Sequence, residues 1–241
     1  MTTGGWWWTP TKRTKRPGAR EPLLEGLFTD RADAGRVLGE QVARGEQLVR
    51  PVVVALPRGG VPVGAEVARK IGAGLVAMPV CKVGAPGREE LAIGAVAPGG
   101  VKVLNYDVIA ALRLSDERVE QLVSRAAEKV AHQCELYDSG GPGASLTGSS
   151  AVVVDDGLAT GASMWAALIA VRGRQPRRLI LAVPVAPPEP LALLAPLVDE
   201  EICSVRPAHM QAVGAWYEDF SQTTDAEVTG LLAEFSECRR D

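Results

Sequence analysis

Val152-Val153-Val154-Asp155-Asp156-Gly157-Leu158-Ala159-Thr160-Gly161-Ala162-Ser163 runs from apolar residues into two adjacent carboxylates, then through a Gly/Thr/Ser turn into an alanine-rich helix. The apolar residues read as a strand buried on both faces, since no polar residue alternates with them. The helix that follows starts with backbone N–H groups that have no partner inside it, a setting that favours a phosphate. Glycines let the backbone approach such a ligand, and Thr160 and Ser163 can donate hydroxyl hydrogen bonds. Asp155 and Asp156 lie one turn earlier, where ionised carboxylates accept hydrogen bonds from hydroxyls. Anionic side chains beside an anionic ligand make sense only if they face its sugar hydroxyls or a metal ion. The plainer reading is a buried strand and a glycine turn with a solvated acid pair. It needs the acids and the Thr-Gly-Ala-Ser turn to coincide by accident.

Outward from this stretch, strands and helices alternate. Ala34, Val37, Leu38, Val42 and Ala43 recur at helical spacing between Phe28 and Leu48, with Thr29 or Asp30 as a cap. Pro51–Leu56 reads as a buried strand, Pro57-Arg58-Gly59-Gly60 as a tight turn, and Val61–Ile71 as a helix. Leu75–Val83 reads as a second strand. From Gly84 to Gly100, Gly, Pro and charges surround an apolar Leu91–Val96, which predicts a β-hairpin or a mobile flap over about 84–104. Ser115–Tyr137 carries one apolar stripe and is the strongest helix, and Ser139–Ser150 is a loop. After the opening stretch come a strand at Leu179–Val185, a helix from about Glu189 to Leu197, a strand at Glu201–Val205, and a closing helix from Asp225 to Glu234. The order predicts an α/β fold, a three-layer α/β/α arrangement with a mainly parallel central sheet. Ligands of such sheets bind beyond the carboxyl ends of the strands. The turn at 57–60 and the loop at 155–163 both lie there.

Composition narrows the class. The 241 residues suffice for one α/β domain with additions or at most two small domains, and 46% hydrophobic with 23% charged residues is the make-up of an ordinary soluble globular protein. A net charge of −3 offers no electrostatic case for nucleic acid, and no apolar run reaches the length of a membrane span. The four cysteines have no metal-ligand spacing and read as reduced thiols of a cytoplasmic protein. Residues 1–26, with Trp6, Trp7 and Trp8 ahead of a basic stretch, read as a poorly ordered arm rather than a signal peptide. Residues 27–241 form the predicted domain.

The acid pair and its Thr-Gly-Ala-Ser turn resemble the phosphoribosyl pyrophosphate (PRPP) signature of type I phosphoribosyltransferases. From about Phe28 onward the chain is similar to a bacterial phosphoribosyltransferase-like branch of that family. The resemblance implies transfer of a 5-phosphoribosyl group from PRPP to a nitrogen nucleophile, a nucleobase, with release of pyrophosphate. Asp155 and Asp156 would hold the ribose hydroxyls, Asp155 also lying close to metal-bound water. Gly157, Leu158, Ala159, Thr160, Gly161, Ala162 and Ser163 would hold the 5′-phosphate. Arg58, Gly59 and Gly60 look like the family's pyrophosphate loop. That loop often holds a non-proline cis peptide, which would fall at Pro57–Arg58. Lys82 or Arg88 would bring a cation from the flap, and Mg²⁺ would arrive mainly on substrate oxygens. The resemblance also implies a homodimer and a small C-terminal hood, about 203–241, over the acceptor. In the hood Trp216, Tyr217 and His209 are the candidates, with an anchoring role for Trp216 and Tyr217 as the alternative.

The sequence departs from the hypoxanthine–guanine branch at Ala159, where an aspartate would precede Thr-Gly, and has Ser163 in place of a final threonine. The acceptor therefore stays open. A second class of protein shares these motifs: a regulatory PRPP or nucleotide sensor that performs no transfer. Intact Lys82 and Arg88 favour catalysis. A hydrolase using water on the same ligand would need a positioned base, and no Ser/His/Asp arrangement is visible.

Overall fold

Residues 28–137 and 146–237 are described in the computed structural model. The N-terminal arm, the first part of the Ser139–Ser150 loop and Cys238 lie outside them. Five strands make the central sheet: β1 (Val52–Ala55), β2 (Gly74–Ala77), β6 (Ser150–Val154), β7 (Arg178–Val185) and β8 (Glu200–Val205). Their order is β2-β1-β6-β7-β8, and every pair is parallel. Chain direction across the sheet therefore reverses at β1, with β2 on one side and β6 on the other. That is the switch point where open α/β sheets leave a crevice for ligands.

The apolar run that decides the fold is split by the pleat into two cores. Val152 and Val154 face one side with Val53, Ala55, Ile180 and Ala182; Ala151 and Val153 face the other with Val54, Leu179 and Leu181. On the first side pack α1 (Arg31–Ala43), α2 (Gly60–Ile71) and α7 (Asp225–Glu237), through Leu38, Val42, Val61, Val67, Val228 and Leu232. On the second pack α5 (Ala162–Arg172) and α6 (Pro188–Leu194), through Met164, Leu168, Leu191 and Leu194. A sheet covered on both faces has no use for polar alternation, which is why β6 is fully buried along its length. Asp30 caps α1 as expected, its carboxylate accepting the Asp33 N–H at 2.7 Å. Ser115 Oγ accepts the Arg118 N–H at the start of α4 (Asp116–Tyr137).

The predicted strand at Leu75–Val83 is two strands in two sheets. Met78 donates to the Ala55 carbonyl at 2.8 Å, and Pro79 then breaks the run, having no N–H to continue the ladder. Beyond it β3 (Cys81–Ala85), β4 (Arg88–Ala97) and β5 (Val101–Leu104) form a separate antiparallel sheet in the order β3-β4-β5. The hairpin expected in this region has a core of its own, made by Val83, Ile93 and Val96 against Val119, Ala126 and Val130 of α4. Ile93 is fully buried, so Ala92–Ala95 is already packed down. A short helix, α3 (Tyr106–Ala111), was not anticipated; Asn105 caps it, accepting the Val108 N–H at 3.1 Å. Among the described residues no helix is long and apolar enough to cross a membrane.

Candidate functional site

Strand register brings the two motif loops together. Ala55 lies opposite Val154, and the Leu56 N–H donates to the Val154 carbonyl at 2.9 Å, so loops 57–60 and 155–163 leave the sheet side by side. The Pro57–Arg58 peptide is cis, at the bond where the resemblance placed one. Contact between the loops is tight. A Cβ on Gly59 would sit 2.0 Å from Asp156 Oδ2, and one on Gly60 would sit 2.9 Å from both Asp155 Cα and the Val154 oxygen. Only glycine fits this approach, and the need is spatial: Gly59 itself has an ordinary helical φ of −62°.

Loop 157–163 is fixed at its start by the Leu158 N–H, which donates to the Val185 carbonyl of β7 at 2.9 Å. Gly161 sits at the start of α5 with φ 76°, a left-handed conformation that favours glycine. It brings no side chain to cap the helix, so the first amides of α5 carry no internal cap for a phosphate to displace. Ala159 and Thr160 are exposed beside them.

The acid pair is strongly perturbed. Burial pushes the Asp155 carboxyl well above its ordinary range, and the neighbouring Asp156 charge adds to the push. Burial also raises Asp156, against the opposing pull of Arg31. Arg31 Nε donates to Asp156 Oδ2 at 2.8 Å, while the Asp156 N–H donates to Asp155 Oδ1 at 2.9 Å. Two hard carboxylate oxygen donors, held together where burial and mutual repulsion oppose ionisation, fit a divalent cation or a sugar diol, either of which relieves that repulsion.

Arg58 turns elsewhere. Its Nη1 lies 4.0 Å from Asp225 Oδ1 at the start of α7, and Asp225 also accepts the Tyr137 hydroxyl. Lys82 and Arg88 are exposed, on β3 and at the first residue of β4. In the hood, Tyr217 is buried and donates its hydroxyl to the Asp156 carbonyl at 2.6 Å. Its ring packs 5.5 Å from Phe28 and 5.0 Å from Phe220. Trp216 receives the Phe28 N–H on its carbonyl at 2.9 Å. The aromatic segment thus holds the start of α1 against the acid-pair loop. His209 lies apart from it and lines a cleft of about 200 Å³ with Ala159, Thr160, Pro187, Glu189 and Met210. Tyr217→Phe is expected to cost about 1 kcal/mol of stability, because the Asp156 carbonyl loses its donor. Denaturant unfolding measures the loss, and an unchanged midpoint would show that water replaces the phenol.

Arg31 escaped the sequence reading. It stands one residue after a helix cap in a stretch of ordinary helical charges, where nothing local separates a site arginine from a solvated one. Only tertiary packing brings it to Asp156, 125 positions away.

A parallel sheet with covered faces, a glycine-cleared switch point, a paired acid turn and an open helix start define an α/β protein with a ligand crevice at the carboxyl ends of its strands. Comparison with known proteins gives this class its family. The phosphoribosyl transferase domain model matches residues 36–194, and the chain belongs to that family. The crystal structure of TT1426 from Thermus thermophilus is 43% identical, with a TM-score of 0.73 over 87% of this chain and 99% of that one. In two strains of Mycobacterium tuberculosis, proteins named "putative phosphoribosyl transferase" are 40% identical over 208 residues, 86% of this chain. The chain spans about half the length, 46%, of these curated relatives.

Proposed function

We propose that this chain binds PRPP and transfers its 5-phosphoribosyl group to a nitrogen nucleophile, a nucleobase or a compound like one. The observation that carries the reading is the contact of the Gly59–Gly60 turn with the Asp155–Asp156 pair at the switch point. In this reading Asp155 and Asp156 accept hydrogen bonds from the ribose hydroxyls. The amides and hydroxyls of Gly157, Leu158, Ala159, Thr160, Gly161, Ala162 and Ser163 take the 5′-phosphate. Gly59 and Gly60 expose backbone to the pyrophosphate, and Arg58 joins them by leaving Asp225, a pairing weak enough at 4.0 Å to exchange.

The C1–oxygen bond breaks with its electron pair going to pyrophosphate. The nitrogen lone pair forms the new C1–N bond, and that nitrogen then releases its proton. Positive charge grows on the ribose as the bond breaks, and the carboxylates at 155 and 156 lie on the side of the hydroxyls to stabilise it. Lys82 and Arg88 supply cations from the β3–β4 hairpin to the leaving group. Mg²⁺, carried mainly on substrate oxygens, would neutralise pyrophosphate charge, with Asp155 the carboxylate nearest to its waters. The acceptor would lie in the cleft lined by His209, with Trp216 and Tyr217 bracing the hood behind it.

Calorimetric titration with PRPP and Mg²⁺ tests the reading, followed by a screen of nucleobases for pyrophosphate release. Saturable binding is expected, with turnover for at least one base. Binding without turnover for any base would favour a PRPP sensor, and absence of binding would withdraw the proposal.

A further inference from the structure

Arg31 stands where three separate parts of the chain meet. Its Nε donates to Asp156 Oδ2 at 2.8 Å, and its Nη1 donates to the Ser221 carbonyl at 2.7 Å. The guanidinium lies 3.9 Å from the centre of the Phe220 ring. A Cβ on Gly59 would approach Arg31 Nε to 3.0 Å, so the same group also borders the 57–60 loop. Both members of the ion pair are sheltered, their side chains 12% and 16% exposed. A charge pair withdrawn from water contributes only when its geometry is well satisfied. Here the planar fork meets that condition by bonding in two directions while its face covers an aromatic ring. A lysine offers a single point of charge and cannot do all three.

We propose that Arg31 is a positioning residue of the sugar site, fixing the Asp156 carboxylate for the ribose and tying its setting to the hood at 216–221. The inference rests on the reading of the acid pair as a PRPP site. With Oδ2 engaged by Arg31, Asp156 keeps Oδ1 for a ligand hydroxyl. The hood then grips Asp156 twice: through Arg31 on the side chain, and through the Tyr217 hydroxyl on the backbone carbonyl. A sugar pulling on this carboxylate is felt at Phe220 and Ser221, some sixty positions further along the chain, because the connecting groups are rigid and already in contact.

The role acts through the sugar, so ligands with and without one separate it from a general structural effect. Wild type, Arg31→Gln and Arg31→Lys are titrated with Mg²⁺–PRPP and, separately, with Mg²⁺–pyrophosphate. Amide exchange over 216–224 is followed in the same three proteins without ligand. Arg31→Gln is expected to weaken PRPP at least tenfold while pyrophosphate changes less than twofold, and exchange in the hood should accelerate. Arg31→Lys is expected to recover part of the PRPP affinity but not the hood protection. Equal losses for both ligands, or PRPP affinity within twofold of wild type, would overturn the proposal. So would unchanged exchange in both variants. If melting shows that Arg31→Gln does not fold, the lysine variant carries the same comparison. Wild type that binds no PRPP defeats the underlying site reading before any variant is compared, whereas normal wild-type binding with an indifferent Arg31→Gln defeats only the role given to Arg31.

Discussion

Asp155→Asn is expected to raise the thermal midpoint of the ligand-free protein at neutral pH, while Asp155→Asn/Asp156→Asn together remove measurable PRPP binding. Burial, reinforced by Asp156, lifts the Asp155 carboxyl above its unfolded value. A group with a raised folded pKa favours the fold in its protonated form. Its contribution is complete below the ordinary carboxylate pKa of about 4 and is lost as pH rises through the folded value. At neutral pH, where the unfolded carboxyl is ionised, the raised folded value of Asp155 therefore works against folding. Asparagine removes the charge and keeps an oxygen to accept the Asp156 N–H. The gain in thermal midpoint should appear at pH 7 and vanish near pH 4. Asp156→Asn should gain less than Asp155→Asn, because Arg31 already offsets part of the burial penalty on Asp156 and loses its anion in the variant. A carboxylate whose neutralisation stabilises the protein would mark a site whose charge is kept for a ligand rather than for the fold. Each hydrogen bond from a sugar hydroxyl to a carboxylate contributes about 1.5–3 kcal/mol, so losing two weakens PRPP by roughly 10²–10⁴-fold. Melting curves at the two pH values and calorimetry decide the matter. Destabilisation by Asp155→Asn at pH 7 would show that hydrogen bonding to Asp155 outweighs its charge penalty.

Much of this arrangement is legible in the chain because it is written locally. The apolar run before Asp155, the glycine turn after it and the alanine-rich helix each announce their structure within a few residues. The mainly parallel sheet follows from alternation, whereas the strand order that puts the switch point between β1 and β6 comes only from the folded chain. What the sequence hid is tertiary. The split at Met78-Pro79 is invisible to hydrophobicity, since both halves are apolar and only pairing partners assign them to different sheets. The resemblance drew Arg58 toward pyrophosphate, yet its guanidinium lies 4.0 Å from Asp225 on the last helix. Tyr217 reads from the sequence either as part of the acceptor pocket or as an anchor. Its position is decided by a hydroxyl bond to a backbone carbonyl that no side-chain pattern could disclose.

Gly59→Ala should be among the most damaging single changes in the protein, although its backbone would accept alanine without strain. The residue has φ −62° and ψ −32° at the start of α2, a conformation open to any residue. The obstacle is the added methyl, which would lie 2.0 Å from Asp156 Oδ2 and 3.0 Å from Arg31 Nε. Were the carboxylate a free surface group, it would swing aside at little cost. Arg31 and the close fit of the hood hold it in place, so the methyl must either break the ion pair or lift loop 57–60 away from the end of β6. Overpacking costs about 1–3 kcal/mol, and a damaged sheltered pair adds to it, for a total near 3 kcal/mol. The expected fall in thermal midpoint is about 6–12 °C at the usual 2–4 °C per kcal/mol. Ligand binding should fail differently from Arg31→Gln. Because Gly59 joins the proposed pyrophosphate loop to the acid pair, both Mg²⁺–PRPP and Mg²⁺–pyrophosphate should weaken more than tenfold, where the arginine variant is expected to spare pyrophosphate. If Gly59→Ala melted like wild type and kept both affinities, the two loops would have to move independently, and the closeness of their contact could not be what sets the distance between sugar and leaving group.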